Sequence, residues 1–151
     1  MAQSAALSEQ VVTERRQLIE YLESGCKPAD EWRIGTEHEK FVFRLSDRRP
    51  VPYEGADGIG AFLRGLEQYG WQPVLEHGNP IALKRDGAAV TLEPAGQLEL
   101  SGAPLENLHD SCAEVNGHLR EVRDVARSLG VGLIGLGFHP TASREEMPWM
   151  P

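Results

Sequence analysis

Cysteine is scarce in this chain. Only Cys26 and Cys112 occur, far apart and without the Cys/His spacing of a zinc site. That excludes a disulfide scaffold and a structural zinc, and it predicts a reducing, cytoplasmic location. Basic clusters are missing too: 15 Lys and Arg stand against 23 Asp and Glu, a net charge of −8. Nucleic acid is therefore not an expected partner, because phosphate binding needs clustered cations. No long hydrophobic run exists. The longest, Val131 to Phe138, is too short to cross a bilayer. The first residues lack the basic-then-apolar order of a secretory signal, so neither a membrane nor export is expected. Internal repeats and low-complexity segments are absent.

What remains is ordinary for a soluble globular protein: 40% hydrophobic and 25% charged residues. At 151 residues the chain has room for one domain with a sizeable core. Its organising stretch is Arg33-Ile34-Gly35-Thr36-Glu37-His38-Glu39-Lys40-Phe41. A strand has a side-chain period of two, so Glu37 and Glu39 leave one face and His38 and Lys40 the other. Like charges this close repel, and a carboxylate in apolar surroundings is costly unless paired or bound to a cation.

In chain order, the spacing predicts an amphipathic helix from Ser8 to Ser24, with Ser8 as N-cap and Leu7 and Val12 as a staple. A long strand, Trp32 to Leu45, follows. A helix begins at the N-cap candidate Asp57, buries Ile59, Phe62, Leu63 and Leu66, and closes at Gly70. Short strands come next: Trp71–Glu76, a turn at Gly78-Asn79-Pro80, then Ile81–Arg85 and Ala88–Leu92 around the hairpin signal Asp86-Gly87. Pro94 and Gly96 place a bulge or kink before Gln97 and Glu99, which share a face. A long helix spans Leu105 to Leu129 with the stripe Leu108, Cys112, Val115, Leu119, Val122, Ala126 and Leu129. Gly130 caps it, and Val131–Phe138 reads as a buried strand. The pattern is α+β: a largely antiparallel twisted sheet with the helices on one face and the carboxylates on the other.

Glu37, Glu39, Glu93 and Glu99, together with Gln97, form the candidate constellation. Hard divalent cations such as Mg²⁺ take oxygen ligands, usually carboxylates with substrate phosphate oxygens. Solvated strand faces account for the same residues, and both readings stand at this point. Lys84, Arg85 and Arg33 can meet phosphate or carboxylate, with a solvated hairpin end as the alternative for the first two. Gly130-Val131-Gly132-Leu133-Ile134-Gly135 matches G-x-G-x-x-G but follows a helix instead of preceding one, so it is read as a cap and as close packing. Cys112, inside the apolar stripe, is read as a buried structural thiol, and His38 as a structural histidine turned away from the glutamates.

The Arg33–Phe41 stretch resembles the signature of plant-type glutamate–cysteine ligases, shared by many proteobacteria. So do Leu92-Glu93-Pro94-Ala95-Gly96-Gln97-Leu98-Glu99-Leu100-Ser101-Gly102-Ala103-Pro104-Leu105-Glu106, the helix segment Cys112 to Leu119, and Gly135-Leu136-Gly137-Phe138, in the same order. The resemblance implies a glutamine-synthetase-like catalytic fold. It also implies ATP-dependent joining of the γ-carboxyl of L-glutamate to the amine of L-cysteine through γ-glutamyl phosphate, the first step of glutathione synthesis. On matching positions it implies Glu37, Glu39, Glu93 and Glu99 as Mg²⁺ ligands and Gln97 as a substrate or supporting contact. Arg33 and Lys84 join Gln97 as substrate-binding candidates. Family members are much longer, so the chain is expected to be the N-terminal portion of one catalytic domain, inactive alone, in a protein that admits a homo-oligomer. In plant relatives a cysteine matching Cys112 can join a regulatory disulfide. A related ligase using another amine, or a non-catalytic cation-binding or interaction domain on the same scaffold, are the alternatives.

Overall fold

The structure, a computed structural model, describes residues 11–151. Contacts divide the chain between Arg33 and Ile34 into two units. In the first, α1 spans Arg15–Glu23. Its start is set by Gln17, whose side-chain oxygen accepts from the backbone N–H groups of Thr13 (2.8 Å) and Glu14 (3.1 Å). Ser8 and Leu7, the expected cap and staple, lie outside the described residues. Val11 and Val12 precede the helix, and no residue of α1 is buried. The three-four apolar spacing thus gives a helix, as expected, but not the covered face.

The second unit is built on a six-stranded sheet in the order β2-β3-β4-β5-β1-β6, with every neighbouring pair antiparallel. The strands are β1 Glu37–Arg44, β2 Gln72–Glu76, β3 Asn79–Arg85, β4 Ala88–Glu93, β5 Gln97–Ser101 and β6 Val131–Ile134. β1 is shorter than the expected Trp32–Leu45. Ile34 makes only an isolated bridge to Leu105. The β2–β3 turn sits at His77-Gly78 (φ 48° and 84°), so Asn79 and Pro80 enter β3 instead of forming the turn. Pro80 is tolerated there because the register shifts beside it, between Val74 and Leu75. Asp86-Gly87 (φ 50° and 87°) turns β3 into β4 as the sequence predicts.

Two helices cover one face of this sheet. α2, Ile59–Leu66, buries Ile59, Phe62, Leu63 and Leu66. Its N-cap is Gly58. Asp57, the expected cap, accepts from Arg44 Nε at 3.2 Å instead. α3, Leu108–Leu129, is capped by Asn107, whose side chain accepts from the N–H groups of His109 and Asp110. Together with Val42, Leu83, Val90, Leu98 and Leu100 from the strands, these helices enclose the core.

The expected stripe on α3 is correct from Val115 onward, where Val115, Leu119 and Leu129 pack against the core. Val122 and Ala126 are buried, but Leu108 is 70% exposed and Cys112 is exposed, so Cys112 is not the buried thiol the stripe implied. Ser111 and His118 are buried instead. Glu114 Oε1 accepts from Ala103 N at 2.8 Å, tying that side of the helix to the chain leaving β5.

β6 ends at Ile134, short of the expected Phe138. Gly132 faces the Phe43 ring on β1 so closely that a Cβ there would collide with it. Beyond β6, the Leu136 carbonyl accepts from Gln97 Nε2 at 3.1 Å, which turns the chain across the second face of the sheet. No described helix is long and apolar enough to cross a membrane.

Candidate active-site face

The face away from α2 and α3 carries the carboxylates, and two features of the chain put them there. The first is the alternation of β1. Glu37 pairs in register with Ser101 and Glu39 with Glu99, so Glu39 and Glu99 stand directly opposite each other on neighbouring strands. The second is the segment Pro94-Ala95-Gly96. It is neither a bulge nor a kink but a complete reversal, with Ala95 at φ 65° and Gly96 at φ 74°. It makes β4 and β5 a hairpin in which Glu93 faces Gln97 and Thr91 faces Glu99. All four glutamates therefore share one sheet face.

Like charges opposite each other in a sheet are destabilising. The structure meets this with donors. Thr91 Oγ1 donates to Glu99 Oε2 at 3.2 Å, and Ser101 Oγ donates to Glu99 Oε1 at 3.3 Å. Gln97, only 7% exposed, donates from Nε2 to Glu39 Oε2 at 2.9 Å. Its second Nε2 bond, to the Leu136 carbonyl, fixes the amide in that orientation. Among the described residues Glu93 has no such Thr, Ser or Gln donor. A hydrogen bond with Glu99 is the main reason its carboxyl is held above the usual carboxylate range, followed by burial and the charges of Glu99, Glu39 and Glu37.

Glu37 and Glu39 are exposed. Among the described residues no three His, Cys, Asp or Glu side chains converge into a ready-made ligand set. The donors nevertheless suit Mg²⁺, a hard ion that keeps several waters and takes one or two carboxylates plus phosphate oxygens. Four carboxylates on one face, with the Glu93 carboxyl raised above its ordinary range by its neighbours, make a negative field that a divalent cation would neutralise.

The substrate-binding candidates divide. Gln97 is inside the cluster. Lys84 lies on the same sheet face, since it pairs with Ala89, which pairs with Ser101, which pairs with Glu37. Three strand spacings separate it from Glu37, roughly 14 Å. Lys84 is exposed. Arg33 belongs to the first unit, where Nη1 donates to the carbonyls of Trp32 (2.8 Å) and Asp30 (3.2 Å). Arg85 is not a solvated hairpin end. It lies on the core side, 4.2 Å over the Trp71 ring and forked onto Glu121 at 2.9 and 3.2 Å.

His38 and Lys40 turn away from the glutamates, as alternation requires. Lys40 is only 2% exposed, and its Nζ donates to His38 Nδ1 (2.9 Å) and to the His38 carbonyl (2.6 Å). Burial lowers its pKa to about 8, against the opposing pull of Glu99 and Glu39. Burial and the Lys40 charge lower the His38 pKa as well. A buried lysine behind the carboxylates was missed by sequence reasoning. The signal was available: a Glu-His-Glu-Lys alternation leading into an apolar strand must send one charged pair inward.

Comparisons with known proteins place the chain in a family. Residues 33–151 match the family described as Glutamate-cysteine ligase family 2 (GCS2). The chain is 51% identical over 138 residues to the chloroplastic glutamate–cysteine ligase of Medicago truncatula, covering 91% of this chain and 27% of that protein. It is 51% identical to the Arabidopsis thaliana enzyme, covering 91% of this chain and 26% of that one. It is 49% identical to the chloroplastic glutamate–cysteine ligase A of Oryza sativa subsp. japonica, with 91% and 27% coverage. The chain thus spans about a quarter of the length of the curated relatives it matches. These relatives are named chloroplastic, which overturns the expected cytoplasmic location. Unpaired cysteines mark a reducing environment and do not tell one reducing compartment from another. With the matched segment including all four glutamates and covering the whole six-stranded sheet, the chain belongs to glutamate–cysteine ligase family 2.

Proposed function

We propose that this chain provides the carboxylate-bearing sheet of an ATP-dependent glutamate–cysteine ligase in glutathione biosynthesis. In the reaction, the γ-carboxylate of L-glutamate attacks the γ-phosphorus of ATP and ADP leaves. The amine of L-cysteine then attacks the acyl carbon of γ-glutamyl phosphate, phosphate leaves, and the amine loses a proton. Glu37, Glu39, Glu93 and Glu99 would hold Mg²⁺, which supplies charge neutralisation at the phosphate oxygens. Gln97 keeps the Glu39 carboxylate turned toward the shared face. Thr91 and Ser101 do the same for Glu99.

The observation that carries this reading is the gathering of four glutamates from three strands on one open face, with the Glu93 carboxyl raised above its ordinary range by its hydrogen bond to Glu99 and by burial and the neighbouring charges. A merely solvated face has no reason to set Glu39 opposite Glu99. Among the described strand residues of this face the cation is Lys84, roughly three strand spacings from Glu37, while phosphoryl transfer needs cations on several sides. The 151-residue chain alone is therefore expected to bind divalent cations without making dipeptide.

The test titrates the chain with Mn²⁺ and follows paramagnetic broadening by NMR. Broadening centred on β1, β4 and β5, and lost in Glu39→Gln and Glu99→Gln, is expected. Uniform weak broadening over all acidic surfaces would refute the metal assignment. Incubation with ATP, Mg²⁺ and glutamate, with cysteine or another amine, tests the reaction and the choice of amine. It is expected to give no dipeptide, and turnover by the chain alone would show that its cations suffice.

A further inference from the structure

On the opposite side of β1, His38 and Lys40 open onto a pocket of about 420 Å³ between the C-terminal half of α3 and strand β6. Its charged lining is entirely basic: His38, Lys40, Arg123 and Arg127. In a chain of net charge −8 this is a local reversal of sign. Asp124, which pairs with Arg127 at 3.3 Å, does not line the pocket, and the pair is exposed to screening by water and salt.

The pocket is rich in donors. A lysine ammonium has three N–H groups, and Lys40 uses two, on His38 Nδ1 and the His38 carbonyl. Because His38 Nδ1 accepts from Lys40, the ring proton of the neutral imidazole sits on Nε2, again as a donor. Arg123 and Arg127 stand four residues apart on α3, so both guanidinium groups reach the same side of the helix. β6 is an edge strand, and its outer backbone groups are free of the ladder. Guanidinium forks match carboxylate and phosphate oxygens in pairs, and an ammonium adds a point charge. Among the described residues no carboxylate lines the pocket to face Lys40 and the two arginines.

We propose that this pocket binds a small anion bearing a phosphate or carboxylate group, at a site separated from the glutamate face by the thickness of the sheet. The volume suits a small metabolite better than a single chloride ion. This site is independent of the ligase reading, which uses only the opposite face.

Inorganic phosphate and succinate, titrated separately into the 151-residue chain at constant ionic strength set with NaCl, test the proposal by NMR. Saturable shifts confined to β1, the second half of α3 and β6 are expected with one or both probes, and the responding probe assigns the anionic group. The double variant Arg123→Gln, Arg127→Gln alters only exposed side chains and should weaken binding at least tenfold. Lys40→Met should weaken it similarly. Should that variant fail to fold, the arginine pair still decides. No saturable shift with either probe, the same shifts on adding NaCl alone, or unchanged affinity in the arginine double variant would each overturn the site.

Discussion

Replacing His118 by leucine should make the protein more stable, and increasingly so as the pH falls. His118 is 2% exposed, and neither ring nitrogen has a partner among the described residues. It lies edge-on to Trp71 with ring centroids 6.3 Å apart and borders a cavity of about 180 Å³ shared with Arg85 and Glu114. Burial, followed by the charges of Lys40, His38 and Arg85, lowers its pKa to about 3 from an ordinary 6.5. The unfolded chain therefore binds the proton more readily than the folded one between these values. Stability from this residue is complete above about pH 6.5 and is lost as the pH falls toward 3. At about 1.4 kcal/mol per pKa unit, the cost is roughly 2 kcal/mol by pH 5 and about 5 kcal/mol at the acid limit. Leucine removes the titration and both unpartnered nitrogens. Urea unfolding of both proteins at pH 7.5, 6 and 5 reads the difference directly, since all other groups titrate alike in the two. The gap should widen by about 2 kcal/mol across this range. A gap that stays constant with pH would show that His118 is hydrated or paired in the folded state, refuting the argument.

The exposed position of Cys112 predicts that it reacts with a thiol reagent in the folded protein at a rate comparable with exposed Cys26, measured by mass spectrometry of timed labelling; protection of Cys112 alone would place the helix face wrongly. Arg85→Met should cost about 2 kcal/mol in urea unfolding, because it leaves the partly buried Glu121 without its charged partner. Trp71 fluorescence should shift too, since its Nε1 donates to the same carboxylate at 2.8 Å. Gly132→Ala should cost about 1–3 kcal/mol through the collision with the Phe43 ring, read as a lower Tm, and an unchanged Tm would mean that β6 can move away from β1 at little cost.

Much of the fold is legible in residue pattern alone. The Asp86-Gly87 hairpin, the buried residues of α2 and the α+β class all follow from periodicity and turn chemistry, and the structure contains them. The boundaries are less legible. A spacing of three and four fixes a helix but not its rotation against a sheet. On α3 the side turned inward carries Ser111, His118, Val122, Val125 and Ala126, and Glu114 bonds the Ala103 N–H, a contact between residues whose adjacency exists only after β5 and α3 are docked. Cys112 is left exposed. On α1 the same pattern makes a helix whose apolar residues are not buried, because periodicity states what a face can cover and not whether something covers it.

The site shows the same division between local and long-range information. That Glu37 and Glu39 share a face needs only the period of a strand. That Glu93 joins them depends on whether Pro94-Ala95-Gly96 bends the chain or reverses it. Proline and glycine are compatible with both outcomes. The decision falls on Ala95, a residue with a Cβ placed at positive φ, where local preference would not put it. The two strands supply the compensation by pairing Thr91 with Glu99 and Glu93 with Gln97. Lys40 was hidden for a related reason. Its sequence neighbour Glu39 acts on its charge, but so does Glu99 from β5, and its ammonium is bonded to His38 two residues away. Burial disfavours that charge while the glutamates across the sheet favour it. A substitution at Glu99 therefore acts on both faces at once, removing a carboxylate from one and weakening the support for a buried cation on the other.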